Sequence, residues 1–115
     1  MSAAPLVFLV DDLFFVAKIR TTAAALGVDA AAVKDAEALP AAAREAKLVI
    51  VDLRRPDALR ALDLLVTDAP SARCVGFTDH ENVEAFEAAR RRGCGAVLSK
   101  RKLAAELPAL VASCR

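Results

Sequence analysis

Five polar residues follow four short apolar runs of the chain, and their types suggest phosphoryl chemistry. They are the pair Asp11 and Asp12, then Asp52, Thr78 and Lys100. Carboxylate oxygens are the ligands that magnesium prefers, and a divalent ion relieves the repulsion between crowded carboxylates. A lysine ammonium and a threonine hydroxyl suit phosphoryl oxygens, and aspartate is a covalent acceptor of phosphoryl groups. The set therefore favours metal-assisted phosphoryl transfer onto an aspartate.

The apolar runs before these residues have the composition of buried strands. They cover residues 6–10, 48–51, 74–77 and 96–99, and a weaker, alanine-rich strand is predicted over 28–33. Helices are predicted over 13–26, 37–46, 57–66, 81–92 and 103–114. Five strands alternating with five helices predict a doubly wound, five-stranded parallel sheet with helices on both faces. Because ligands of such sheets bind at the carboxyl ends of the strands, we expect the polar residues to meet there.

Several finer expectations concern the helices. Pro108 predicts that the last helix starts late, near Ala105. The third helix is expected to bury one stripe of four side chains, and the fourth helix to bury two, with an aspartate as its candidate N-cap. These residues are Leu59, Leu62, Leu65 and Val66, then Val83 and Phe86, and Asp79 as the cap. Of the adjacent rings Phe14 and Phe15, we expect one in the core and the other on an apolar lip near the site.

The amino-acid composition restricts the class of protein to which the chain can belong. A chain of 115 residues, 57% apolar and 27% charged, predicts one soluble globular domain. Its net charge of +1 gives no general attraction to nucleic acid or to a membrane surface. With no apolar stretch of membrane-spanning length and no signal-peptide pattern, a cytoplasmic location is expected.

The three cysteines lack metal-ligand spacing and are interpreted as reduced thiols. Cys74 and Cys94 are expected to fill the core, whereas Cys114 is expected to be exposed near the terminus and able to form artefactual disulfide dimers. We expect a monomer or a weak homodimer.

Four segments of the chain resemble the receiver domains of two-component response regulators, of the stand-alone chemotaxis-regulator type. They are FLVDD at 8–12, VIVDLRRPD at 49–57, GFTD at 76–79 and GCGAVLSK at 93–100. The resemblance covers nearly the whole chain. It implies a single receiver domain over 1–115, with a flavodoxin-like fold and strand order 2-1-3-4-5.

The resemblance also implies a role for each site residue. Asp52 would accept a phosphoryl group from a histidine kinase or phosphotransfer protein, with at most weak self-phosphotransfer and dephosphorylation activity. Asp11, Asp12, Asp52 and the backbone carbonyl of Arg54 would hold Mg²⁺. Thr78 and Lys100 would contact the phosphoryl oxygens. With no room for an output domain, the output would be contacts with an unknown downstream protein.

The chain departs from the family pattern at three positions. Arg101 stands where a proline usually follows the lysine, and Val97 stands where many members carry an aromatic residue. Arg54, two residues after Asp52, is able to pair with Asp11 or Asp12 or to screen the acyl phosphate. These departures leave open an atypical pseudo-receiver, acting as a phosphorylation-independent protein-interaction module.

Structural interpretations also stand beside the functional ones. One of the paired aspartates is a candidate N-cap for the first helix, and Thr78 for the fourth. Lys100 is equally consistent with a solvated surface charge. Residues 90–92, all arginine, suit the carboxyl end of a helix better than a nucleic-acid patch. A small phosphatase or nucleotide-binding enzyme is disfavoured, because no glycine-rich phosphate loop follows the first strand.

Overall fold

Strands and helices alternate along the whole of the chain that the computed structural model describes, residues 4–115. The strands are β1 (Leu6–Leu9), β2 (Ala30–Ala32), β3 (Leu48–Asp52), β4 (Arg73–Thr78) and β5 (Ala96–Ser99). The helices are α1 (Leu13–Leu26), α2 (Leu39–Ala43), α3 (Ala58–Asp68), α4 (Val83–Arg91) and α5 (Lys100–Ala112). No helix in this range is long and apolar enough to cross a membrane.

All neighbouring strands are parallel, and their order is β2-β1-β3-β4-β5. The predicted flavodoxin-like fold is thereby confirmed. The register pairs Leu9 with Val51, and Thr78 with Ser99. The strands therefore end close to one line, and the residues that follow them share one edge of the sheet.

The two faces of the sheet build two separate cores, because strand side chains alternate between faces. Every residue of β1 and β3 is buried, which explains why these strands are continuously apolar up to Asp52 at the end of β3. One face packs on α2, α3 and α4, and its strand residues include Val7, Leu9, Val49 and Val51. The opposite face packs on α1 and α5, and its strand residues include Leu6, Phe8, Leu48 and Ile50.

The last helix begins at Lys100, so the predicted late start near Ala105 is wrong. Ser99 caps the helix, its Oγ accepting a hydrogen bond from the Lys102 amide at 3.1 Å. Pro108 lies inside the helix on its exposed side. There it removes one backbone hydrogen bond, while the buried face of Leu103 and Leu107 holds the helix on the sheet.

The fourth helix is shorter than predicted and buries less. Its N-cap is Asn82, whose side chain accepts from the Ala85 amide, and not Asp79. The cap at Asn82 starts the helix at Val83, whose side chain is 62% exposed. The expectation that Val83 is buried is therefore wrong, and Phe86 is only half-buried.

The third helix and the third cysteine also differ from expectation. Leu62 and Leu65 of α3 are buried as predicted, but Leu59 is only half-buried and Val66 is largely exposed. Cys114 is buried, because the end of α5 packs back on the core, so its predicted exposure is wrong. Cys74 and Cys94 are buried in the core, as expected.

Candidate functional site

The side chain of Asp52 is buried at the carboxyl end of the central strand β3, with 2% of the residue exposed. Two backbone amides bind its carboxylate. Arg54 N–H donates to Oδ1 at 3.0 Å, and Asp11 N–H donates to Oδ2 at 3.3 Å. The second bond joins the ends of β3 and β1 directly. Asp52 is thus a buried carboxylate that two amides hold in a fixed orientation.

Asp12 binds the first turn of α1 and a lysine at the same time. Its Oδ1 accepts from the amides of Phe14 at 3.0 Å and Phe15 at 3.3 Å, which confirms that one of the paired aspartates caps this helix. Its Oδ2 lies 3.3 Å from Lys100 Nζ. Burial by itself would raise the pKa of Asp12, but the two amides and the Lys100 ammonium outweigh it and lower that pKa below its ordinary value.

Asp11 turns its carboxylate toward Arg55, a residue that the sequence analysis did not single out. Arg55 also donates from Nε and Nη2 to the carboxylate of Asp57, at 2.8 and 2.9 Å, and from Nη2 to the Lys34 carbonyl at 3.0 Å. Asp57 in turn accepts from the Ala36 amide at 3.0 Å. The only signal in the sequence was a second arginine between the end of the strand and Pro56.

This network shifts the pKa values of two of its members, Arg55 and Asp57, both of which are partly buried. The hydrogen bond from Arg55 is the largest influence on Asp57 and lowers its pKa below the ordinary value, against an opposing effect of burial. The same hydrogen bond raises the pKa of Arg55 above its ordinary value. Both groups therefore stay charged across the physiological range.

Arg54 lies at the rim of the site, with its side chain almost half exposed. Its Nη1 is 3.8 Å from Asp12 Oδ2, which is one of the pairings that the sequence allowed. An exposed ion pair at this distance contributes little free energy. The stronger internal cation of the site is Arg55, one residue further along.

Thr78 ends β4 with its side chain fully buried, and its Oγ1 has no hydrogen-bond partner in the described part of the chain. A buried hydroxyl without a partner costs about 1–3 kcal/mol. Thr78 does not cap α4, since Asn82 does. Its hydroxyl is therefore available to a group that is not part of the polypeptide.

Lys100 is the first residue of α5 and pairs with two carboxylates. Its Nζ lies 3.3 Å from Asp12 and 3.6 Å from Asp79. The interpretation of Lys100 as a merely solvated charge is therefore wrong. Because β5 passes directly into α5, Arg101 sits in the first turn of a helix, where proline and arginine are both acceptable. Val97 is buried within β5.

The residues expected to hold magnesium are of the right kind but are not gathered around one point. Among residues 4–115, no three His, Cys, Asp or Glu side chains are close enough together to hold a metal ion. Asp11 and Asp12 are instead paired with Arg55 and Lys100. Three carboxylates and a backbone carbonyl suit Mg²⁺, and Asp11 must leave Arg55 to take part.

The fold and this edge define a flavodoxin-like α/β domain with an acidic site at the carboxyl ends of β1 and β3. No protein-family model matches the chain, and no curated protein matches it. Several solved structures, however, are similar to it. The receiver domain of NtrX from Brucella abortus superposes with a TM-score of 0.78 at 23% identity, over 95% of this chain and 96% of that one.

A structure of NtrX itself from the same organism matches at 27% identity with a TM-score of 0.77, over 97% of this chain but only 26% of that chain. The receiver domain of the sensor histidine kinase PA1611 from Pseudomonas aeruginosa PAO1, solved with a magnesium ion in its active-site cleft, gives a TM-score of 0.76 at 17% identity, over 96% and 95% of the two chains. The chain has the fold of a response regulator receiver domain, as its motifs predicted. The chemotaxis-regulator label stays a prediction.

Proposed function

We propose that this chain is a two-component receiver that accepts a phosphoryl group on Asp52 from a histidine kinase or phosphotransfer protein. The observation that carries the proposal is the state of Asp52: a buried carboxylate, held by two amides, at the edge that it shares with Asp12, Thr78 and Lys100. A carboxylate held in one orientation by fixed donors is well placed for attack on a bound phosphoryl group.

In the proposed reaction, a carboxylate oxygen of Asp52 attacks phosphorus while the bond from phosphorus to the donor histidine nitrogen breaks. The histidine nitrogen keeps the bond's electron pair and becomes protonated, and an acyl phosphate remains on Asp52. Mg²⁺, held by Asp11, Asp12, Asp52 and the Arg54 carbonyl, would neutralise charge on the transferring group. The polypeptide supplies position and electrostatic stabilisation.

Thr78 and Lys100 are proposed to bind the phosphoryl oxygens of the product. The Thr78 hydroxyl would donate the hydrogen bond that it lacks in the unmodified protein. Lys100 would exchange Asp12 and Asp79 for a phosphoryl oxygen, and Asp79 directly follows β4 on the segment leading to α4. Phosphorylation would in this way alter the contacts that α4, β5 and α5 offer to a downstream protein.

A second candidate is the phosphorylation-independent interaction module. It is favoured by one observation: Arg55 already neutralises Asp11, so part of the acidic site is balanced without a metal ion. The comparisons with receiver domains do not favour this alternative.

The test is phosphorylation of the protein by acetyl phosphate with Mg²⁺, followed by intact mass. We expect one phosphoryl addition to the wild type and none to Asp52→Asn. Asp79→Asn is the matched control, since it removes an exposed carboxylate from the same edge, and it should still be modified. An unmodified wild type would contradict the proposal and support the interaction module. Equal modification of Asp52→Asn would contradict the assignment of Asp52 as the acceptor.

A further inference from the structure

Two buried thiols lie in contact at the end of the sheet opposite Asp52. Cys74 is the second residue of β4, and Cys94 lies in the turn between α4 and β5. Their Sγ atoms are 3.6 Å apart, and the residues are only 9% and 8% exposed. The Gly95 amide donates to the Cys74 carbonyl at 3.1 Å, which fixes the turn against the strand.

We propose that Cys74 and Cys94 form a peroxide-reactive dithiol that closes to an intramolecular disulfide. Bond formation requires the sulfur atoms to approach by about 1.5 Å from their separation of 3.6 Å. Side-chain rotation is the natural source of a movement of this size, since the backbones are already hydrogen-bonded neighbours. The proposal does not depend on the function proposed for Asp52.

The reaction has two steps and consumes one hydroperoxide. The Cys94 thiolate attacks a peroxide oxygen, the O–O bond breaks, and the protonated leaving group departs as water or alcohol. The resulting sulfenic acid is then attacked by the sulfur of Cys74, the S–S bond forms, and water leaves. The two thiols are oxidised by two electrons in total, and the peroxide is reduced by two.

The environment distinguishes the two sulfur atoms. The hydrogen bond with Cys74 is the main cause that lowers the pKa of Cys94, opposed by burial and helped by a backbone hydrogen bond at Ala96. The same contact raises the pKa of Cys74, and burial adds to that effect. In the proposed reaction Cys94, the thiol with the lowered pKa, attacks, and Cys74 resolves the sulfenic acid. Formation of the disulfide itself rests on the contact between the two sulfur atoms.

A small cavity gives a peroxide access to the pair. Its volume is about 50 Å³, and its walls include Cys74, Cys94, Leu65, Pro70 and Arg92. A single water needs about 10–15 Å³ of such space, so a molecule of hydrogen peroxide fits. The Arg92 side chain, which is 3.4 Å from Asp63, forms part of the same wall.

The third cysteine provides an internal comparison. Cys114 belongs to the core on the other face of the sheet, whereas Cys74 and Cys94 belong to the core beneath α2, α3 and α4. Burial is the largest influence on Cys114 and raises its pKa. It is thus a buried thiol with no neighbouring thiol, and it should stay reduced when the pair oxidises.

The experiment is titration of the folded Cys114→Ser protein with hydrogen peroxide, followed by alkylation and intact mass under denaturing conditions. We expect the mass to fall by two hydrogen atoms, both remaining thiols to resist alkylation, and dithiothreitol to reverse the change. Wild type should show the same loss and keep one alkylatable thiol, Cys114. The melting temperature of the oxidised protein should rise, because the bond closes the loop that contains α4.

Cys74→Ser and Cys94→Ser, each in the Cys114→Ser background, are the matched variants. We expect neither to lose hydrogen, and Cys74→Ser to accumulate a sulfenic acid on Cys94 that dimedone traps. Stepwise oxygen addition without a disulfide, or a disulfide found only between two chains, would overturn the proposal. If a serine variant does not fold, the intact-mass result on the wild type decides by itself.

Discussion

The guanidinium of Arg55 is hydrogen-bonded to the carboxylate of Asp11, 44 positions earlier in the chain. The same guanidinium donates to the Lys34 carbonyl and holds Asp57, which accepts from the Ala36 amide, so that the loop after β3 is joined to the loop after β2. An arginine at this place both neutralises the acidic site and ties down the segment that follows Asp52. Its two effects are separable by mutation.

Removal of the Arg55 guanidinium should tighten magnesium binding. In Arg55→Gln, Asp11 loses the cation that competes with the metal, and we expect Mg²⁺ affinity to rise about fivefold, equivalent to about 1 kcal/mol. Calorimetric titration with Mg²⁺ measures this without any phosphorylation. The control is Arg60→Gln, which makes the same charge change at an exposed residue paired with Glu37. Equal affinities in all three proteins would contradict competition by Arg55.

The ion pair of Arg55 with Asp57 should stabilise the fold in a pH-dependent way. Because the folded pKa of Asp57 is lowered, its contribution is complete above the unfolded value near 3.9 and is lost as the pH falls through the lower folded value. We expect Asp57→Asn to destabilise the protein by about 1.5–3 kcal/mol at pH 7, and by progressively less as the pH falls below about 4.

Urea unfolding at several pH values measures this difference. Glu37→Gln, which breaks the exposed pair with Arg60, should change the free energy of unfolding by less than about 0.5 kcal/mol at pH 7. A cost for Asp57→Asn that stays constant with pH would show that the carboxylate charge is not the cause.

Substitution of Thr78 should affect the stability of the protein and its response to phosphorylation in different ways. In Thr78→Val, an unpartnered hydroxyl is replaced by a methyl group of similar shape, so we expect the unmodified protein to be equally stable or up to about 1 kcal/mol more stable. If Thr78 binds the phosphoryl group, the same variant should lose the conformational response to beryllofluoride, and Thr78→Ser should retain it. A Thr78→Val protein destabilised by more than 1 kcal/mol would indicate a hydrogen bond that the structure does not contain.

The adjacent rings at the start of α1 should differ sharply in their effect on stability. Phe15 is 3% exposed and packs on Phe77 with the ring centroids 4.9 Å apart, whereas Phe14 is 64% exposed. We expect Phe15→Ala to cost about 3–5 kcal/mol of unfolding free energy, and Phe14→Ala less than about 0.5 kcal/mol. Thermal or urea unfolding of both variants measures the contrast. Similar costs would mean that Phe14 is also packed in solution.

The sequence predicted most of the fold because its strongest signals, the continuous apolar runs, are local. The continuous apolar runs of β1 and β3 need cover on both faces, which a doubly wound parallel sheet provides. Element ends were less accurate where a cap competed with another signal. Asn82 and Ser99 decided the starts of α4 and α5, although Asp79 and Pro108 had suggested other positions.

The sequence by itself also determined which polar residues share the edge of the sheet, since strand order and register bring Asp12, Asp52, Thr78 and Lys100 there regardless of side-chain detail. Only the tertiary structure decided how the charges pair. Arg54 was the cation that the sequence singled out as able to pair with Asp11 or Asp12, but it remains half exposed, while Arg55 reaches Asp11 and Asp57. The contact between Cys74 and Cys94 likewise depends on the pairing of β4 with β5. Such contacts depend on the directions in which side chains point in three dimensions. A local sequence pattern does not predict these directions, because most of the residues in contact are far apart in the chain.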